Sequence, residues 1–157
     1  ILNVFMISLN GVERPVAQLQ LLTPKNKVHG YNAKVQAFYP PDYDVLYASG
    51  PVSAITYDAE WDKQRMRRLL VKTLYPGRYM LKVIGLRDGA YNLMFQPGGA
   101  PQVGPGARNS LFDVSFYNVA IRAGEVHRYQ FKGKFADIFD GSIRRDSPQA
   151  FKVVRKK

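Results

Sequence analysis

The chain has 157 residues, of which 46% are hydrophobic, with ten Tyr and nine Phe; this excludes a disordered protein and fits one domain with its own core. It contains no cysteine, which excludes disulfides, thiol catalysis and zinc–thiolate sites. The formal net charge of +11 predicts attraction to polyanions such as nucleic acid, lipid head groups or acidic glycans.

Apolar residues recur at every second position, which is the period of a β-strand rather than of a helix. The runs predicted to be strands are, in chain order, LNVFMISL, PVAQLQLLTP, RYMLKVIGL, AYNLMF, LFDVSFYNVAI and EVHRYQF. The residues predicted to share a face are Tyr79, Leu81 and Val83, then Phe112, Val114 and Phe116, and finally His127, Tyr129 and Phe131. DAEWDKQRMRRLL (Asp58–Leu70) carries only weak helix signals and is interpreted as a turn that leads into a strand.

Turn chemistry separates these runs. The turns are NG at Asn10–Gly11, TPKNK at Thr23–Lys27, PG at Pro76–Gly77, RDG at Arg87–Gly89 and AG at Ala123–Gly124. Because the glycine of an Asp-Gly pair tolerates positive φ, RDG between two alternating runs predicts a hairpin.

Two irregular segments interrupt the pattern. Phe38–Pro51 is predicted to be a long loop or a pair of short edge strands, and Gln96–Asn109 to be a Gly/Pro-rich loop. We therefore expect an all-β protein, an antiparallel β-sandwich of the Ig or jelly-roll kind with about eight strands. Residues 1–140 would form one domain that contains the loop 96–109, with the strands after this loop returning to the same sandwich, and residues 141–157 would form a mobile basic tail.

One stretch, LYPGRYMLKVIGLRDGAYNLMF, resembles the pattern P-G-x-Y-x-L-x-V-x-G-x-x-x-G-x-Y-x-L of small β-sandwich modules appended to large exported bacterial proteins. The matching residues are Pro76, Gly77, Tyr79, Leu81, Val83, Gly85, Gly89, Tyr91 and Leu93. Upstream, VAQLQLLTPKNKVHGYNAKVQAF is similar to the opening strand of that family, with Pro24, Gly30 and Tyr31 in matching places. The chain departs from the family at TPKNK, which lacks the usual acid and glycine.

The resemblance implies a non-catalytic, extracytoplasmic accessory module whose partners are neighbouring domains of a larger protein, and it carries over no catalytic residue and no cofactor. The chain begins with Ile rather than Met, so we also expect it to be a processed or excised piece of that protein. The function predicted is a structural scaffold, or a domain that presents a ligand such as a glycan. The alternative is a basic domain that binds polyanions, with nucleic acid the less favoured ligand.

Ligand candidates concentrate in and beside the irregular segment Phe38–Pro51. Aromatic rings that would stack on sugars, or that would instead cap the core, are Tyr39, Tyr43, Tyr47, Tyr57 and Trp61. Carboxylates that would bind Ca²⁺ if brought together, or that would otherwise only be solvated, are Asp42, Asp44, Asp58, Glu60 and Asp62. No metal is predicted, because the sequence contains no EF-hand loop and no Gly–Asp repeat.

The basic residues proposed for polyanion binding, against the plainer interpretation of a solvated face, are Arg65, Arg67, Arg68 and Lys72. Catalysis is not predicted. The sequence contains the residue types of a catalytic triad, with Ser110 or Ser115, His127 and an Asp. However, it contains no nucleophile elbow, zinc motif or P-loop.

Overall fold

The computed structural model describes residues 2–9, 15–40, 45–49, 66–72, 75–97, 114–133 and 152–156. Within these ranges the chain forms β-strands and turns and no helix, so no helix that could cross a bilayer is found there. The strands are β1 Leu2–Ser8, β2 Ala17–Leu22, β3 Val28–Asn32, β4 Ala37–Phe38, β5 Val45–Ser49, β6 Met66–Val71, β7 Arg78–Gly85, β8 Gly89–Pro97, β9 Val114–Ile121, β10 Val126–Lys132 and β11 Val153–Lys156.

The strands form two antiparallel sheets packed face to face. The five-stranded sheet has the order β5–β6–β1–β8–β9, and the six-stranded sheet has the order β11–β10–β7–β2–β3–β4. The predicted antiparallel β-sandwich is confirmed. The described residues contain eleven strands instead of about eight. The additional ones include the short edge strands β4, which ends at Phe38, β5, which lies within the segment Phe38–Pro51, and β11.

The core lies between the sheets and is built from alternate residues of each strand. Tyr79, Leu81 and Val83 of β7 are fully buried, as the alternation predicted. They face Leu2, Val4 and Met6 of β1, Leu69 and Val71 of β6, and Tyr91, Leu93 and Phe95 of β8. Burial of this apolar surface is the main force that holds the two sheets together.

The RDG turn does not form the predicted hairpin. It joins β7 of the six-stranded sheet to β8 of the five-stranded sheet, and the AG turn likewise joins β9 to β10 across the sandwich. The backbone of one turn bonds to the other: Gly85 N–H donates to the carbonyl of Glu125, and Gly124 N–H donates to the carbonyl of Gly85, each at 2.8 Å. We call this pair of crossing turns, residues 85–89 and 121–125, the double arch.

A β-bulge in β9 changes the face that its later residues occupy. Tyr91 pairs with Val119 but Leu93 pairs with Phe116, so the register shifts between these pairs. Asn118, at φ 52°, lies within the shift. Strict alternation would put Asn118 on the side of Phe116, whereas the extra residue turns Val119 and Phe116 toward the core together.

Two predicted boundaries move. Gln96 and Pro97 belong to β8, so the strand extends into the start of the predicted loop, and the rest of that loop lies outside the described residues. The basic tail contributes a strand, because β11 pairs with β10 and places Val153 beside Phe131. Alternation in VVRK explains this, since Val153 packs against the core while Val154 faces outward.

Candidate functional site

A buried polar cluster bridges the two sheets just inside the double arch. Tyr91 comes from β8 in one sheet, and His127 and Tyr129 come from β10 in the other. Tyr91 Oη lies 2.6 Å from His127 Nδ1 and 2.7 Å from Tyr129 Oη, and His127 Nε2 lies 3.2 Å from Glu125 Oε1. Both tyrosines are fully buried and His127 is 6% exposed. We call these four residues the His127 cluster.

The hydrogens of the His127 cluster fit a neutral imidazole. The Tyr129 hydroxyl donates to Tyr91 Oη, the Tyr91 hydroxyl donates to His127 Nδ1, and His127 Nε2–H donates to the Glu125 carboxylate. Each donor then has one acceptor. A second proton on the ring would occupy Nδ1 and leave the Tyr91 hydroxyl to find another acceptor.

Burial sets the acid–base state of the cluster. It lowers the pKa of His127, as does the nearby cation Arg155, while Glu125 acts in the opposite direction. Burial, together with the neighbouring Tyr129, raises the pKa of Tyr91, and burial raises the pKa of Tyr129. The histidine is therefore held neutral and both phenols are held protonated.

The chain of hydrogen bonds starts at the surface and ends in the core. Glu125 is the exposed end, with 45% of its side chain accessible. At the other end the Tyr129 ring packs against Phe116, with ring centroids 4.8 Å apart, and against Phe95 at 6.3 Å. The inner end of the chain therefore lies among aromatic rings.

The two carboxylates in the described residues hold the double arch. Asp88 Oδ1 accepts from Ala123 N–H at 3.0 Å, and Glu125 Oε1 accepts from Arg122 N–H at 3.0 Å. The Arg122 bond is the main reason that the pKa of Glu125 is lowered. No group of three potential metal ligands occurs in the part of the chain that the structure describes. The Ca²⁺ candidates Asp42, Asp44, Asp58, Glu60 and Asp62 all lie outside it.

The predicted aromatic site is described only in part. Tyr39 is half-buried and its N–H donates to the carbonyl of Gly30 at 2.8 Å, next to Phe38, which is 52% exposed. Tyr47 lies in the edge strand β5. Tyr43, Tyr57 and Trp61 lie outside the described residues.

The arginines predicted to bind polyanions do not share a surface. Arg67 and Arg68 are adjacent in β6, point to opposite faces, and are only 9% and 8% exposed. Arg67 Nε donates to Gln18 Oε1 of the other sheet at 3.0 Å, and Arg68 Nε donates to Asn3 Oδ1 at 3.1 Å. Arg68 also lies over the Phe5 ring, 5.0 Å from its centroid. Lys72 is exposed, and Arg65 lies outside the described residues.

The sequence did not reveal the His127 cluster. The one available signal was the placement of His127 and Tyr129 on the same face as Phe131, since polar groups on a core-facing side need partners. That face is confirmed, but the partner Tyr91 comes from the opposite sheet. Ser115, considered for a triad, pairs with Met94 on the outer side of the five-stranded sheet, away from His127, and Ser110 is not described.

Comparison of the chain with protein families, with curated proteins and with solved structures returned no match.

Proposed function

We propose that the chain is a non-catalytic β-sandwich module of an exported or cell-surface bacterial protein, acting as a rigid scaffold that supports neighbouring domains or presents a ligand such as a glycan. One observation carries the proposal. The residues of catalytic type in the His127 cluster form a chain of hydrogen bonds between the sheets that ends in the core.

The residues that carry the family resemblance support the same proposal, because the described ones have packing roles. The Tyr79 hydroxyl accepts from Tyr75 N–H at 2.9 Å, which pins the start of β7 to its own turn, and its ring stacks on Phe131 at 5.1 Å. Gly77, at φ 127°, lies against Pro24. Residues with such packing roles specify a scaffold rather than a reaction.

The proposal is tested with the full chain and its Tyr91→Phe and His127→Gln variants on chromogenic ester, glycoside and phosphate substrates. We expect no turnover that depends on either residue, although both variants lose stability. Turnover by the parent chain that disappears in a variant still folded by circular dichroism would contradict the proposal.

The presented ligand is sought on a glycan array. We expect any glycan bound to lose affinity in Tyr39→Ala, Tyr43→Ala and Trp61→Ala, since aromatic rings stack on sugar faces. The matched control is Tyr117→Ala, which removes a ring that is 64% exposed on β9, at the edge of the five-stranded sheet opposite β5. Equal losses in Tyr117→Ala and in the three other variants would remove the segment Phe38–Trp61 as a binding region.

A further inference from the structure

The outer face of the six-stranded sheet carries its basic residues in a regular arrangement. Tyr79, Leu81 and Val83 point into the core, so Arg78 and Lys82 of β7 point outward. By the same alternation Arg128 and Lys132 of β10, and Lys156 of β11, lie on this outer side. All five are exposed except Lys82, which is half-buried. We call Arg78, Lys82, Arg128, Lys132 and Lys156 the basic face.

Strand register places these cations directly opposite one another. Arg128 pairs with Lys156 on one side and with Lys82 on the other, which makes a row of three across adjacent strands. Lys132 pairs with Arg78 in a second row. Like charges directly opposite in a sheet destabilise it, and the described strands place no carboxylate on this face to offset them. An anionic ligand would relieve this repulsion.

A row that is apolar except for Gln130 lies between the two cationic rows, and we call it the apolar row. Successive pairs join Val154 to Gln130, Gln130 to Met80, Met80 to Leu22, and Leu22 to Val28, so the row crosses five strands. Val154 is 54% exposed and Leu22 is 37% exposed. The cationic rows are four residues apart along each strand, or about 13 Å, with the apolar row midway.

We propose that the basic face binds the surface of a membrane that contains anionic lipids. The cations would contact the head-group phosphates, while Leu22 and Val154 would enter the boundary between head groups and acyl chains. This occupant uses both features of the face, because anionic head groups complement the cations and the adjoining acyl region accepts the apolar row.

Other occupants use only part of the face. Single-stranded nucleic acid is bound with aromatic rings that stack on bases, and the described outward positions of β2, β7, β10 and β11 hold no aromatic ring. A second copy of the same face would place cations against cations. None of the residues of the basic face belongs to the segment Phe38–Trp61, so the inference does not depend on the glycan-binding part of the proposed function.

The test is co-sedimentation of the full chain with vesicles of phosphatidylcholine alone and of an equimolar mixture with phosphatidylglycerol. We expect binding to the mixed vesicles only, weakening as salt is raised. Lys82→Gln/Arg128→Gln should lose about thirty-fold in affinity, since each cation near an anionic surface contributes about a factor of five. Lys34→Gln/Arg122→Gln removes the same charge elsewhere and should stay close to the parent.

The apolar row has its own variant pair. Leu22→Ser should weaken binding to mixed vesicles, whereas Val35→Ser, at a position 66% exposed in the turn between β3 and β4, should not. Equal losses in the two charge variants would show that net charge alone drives binding and would overturn the proposal. So would binding to heparin or to an oligonucleotide as tight as to the mixed vesicles and unaffected by Leu22→Ser. Circular dichroism checks that each variant is folded.

Discussion

His127 occupies a core-facing position that strands usually give to an apolar residue. The structure accommodates it because every hydrogen-bonding atom of the ring is used: Nδ1 accepts from Tyr91 and Nε2–H donates to Glu125. Arg67 follows the same rule, since its Nε reaches Gln18 of the opposite sheet. Hydrogen bonds between polar side chains thus connect the two sheets. Because these bonds are directional, they specify the position of one sheet against the other, which apolar packing alone does not.

Tyr91→Phe tests the central bond of the His127 cluster. The change removes one hydroxyl and leaves both His127 Nδ1 and the Tyr129 hydroxyl buried without their partner. We expect the free energy of unfolding, measured by urea denaturation, to fall by about 1–3 kcal/mol. The exposed Tyr117→Phe should change it by less than about 0.5 kcal/mol. Equal effects of the two substitutions would show that the cluster does not stabilise the fold.

The lowered pKa of His127 gives a pH dependence with a definite sign. In the unfolded chain the ring has a pKa of about 6.5, so it takes up a proton as the pH falls while the folded chain still resists one. The stabilisation that depends on neutral His127 is therefore fully present above this pH. It is lost progressively as the pH falls from there to the lower pKa of the folded state. Urea midpoints across this range should fall with pH in the parent and much less in His127→Gln. A parent that becomes more stable on acidification would contradict the assignment.

Among the elements, the double arch depends on close approach of two backbones. A Cβ built on Gly85 would lie 2.2 Å from the carbonyl oxygen of Arg122, and backbone cannot move aside as a flexible side chain can. The Asp88 carboxylate ties the two turns together by accepting from Ala123 N–H, whereas the Glu125 carboxylate accepts from Arg122 N–H within its own turn. The presence of glycine at this position is thereby explained by packing.

Gly85→Ala should cost about 3 kcal/mol, at the upper end of overpacking effects, because the nearest contacting atom is a main-chain carbonyl oxygen. The matched control is Gly124→Ala in the other arm of the double arch. Its Cβ would meet nothing within 4 Å, although its φ of 84° disfavours a side chain. That substitution should cost about 1 kcal/mol. Thermal denaturation of both variants compares their losses of unfolding free energy. A loss in Gly85→Ala no larger than in Gly124→Ala would show that the close approach of the two turns is not required for stability.

Strands were predictable from the sequence, but their connections were not. Alternation identified β7 and β10 and their buried faces, because it reports only which residues leave water. An Asp-Gly turn has the same local chemistry whether it closes a hairpin or crosses between sheets. The choice depends on distant pairing: β7 already lies between β2 and β10, and β8 between β1 and β9. The bulge was not predictable either, because it depends on the positive φ of Asn118, which the alternation of residues does not report.

At the scale of the whole molecule, the net charge follows from composition, whereas the arrangement of the charges follows from the fold. Of the predicted cluster, Arg67 and Arg68 point to opposite faces and are largely buried, and Arg65 lies outside the described residues. The cations of the basic face come from three strands that are distant in sequence, and only the register of β7, β10 and β11 brings them together. Such a surface cannot be predicted from short runs of sequence, because its residues are distant from one another in the chain.

Native-state hydrogen exchange of the full chain alone tests the central claim that the two sheets form one rigid, self-supporting scaffold. We expect the most protected amides of the inner strands β1, β7, β8 and β10 to share one opening free energy, equal to that of global unfolding, while those of the edge strands β4 and β11 exchange faster. Two separate opening free energies, one for each sheet, would contradict the account, as would a chain whose inner amides are protected only when a partner is added.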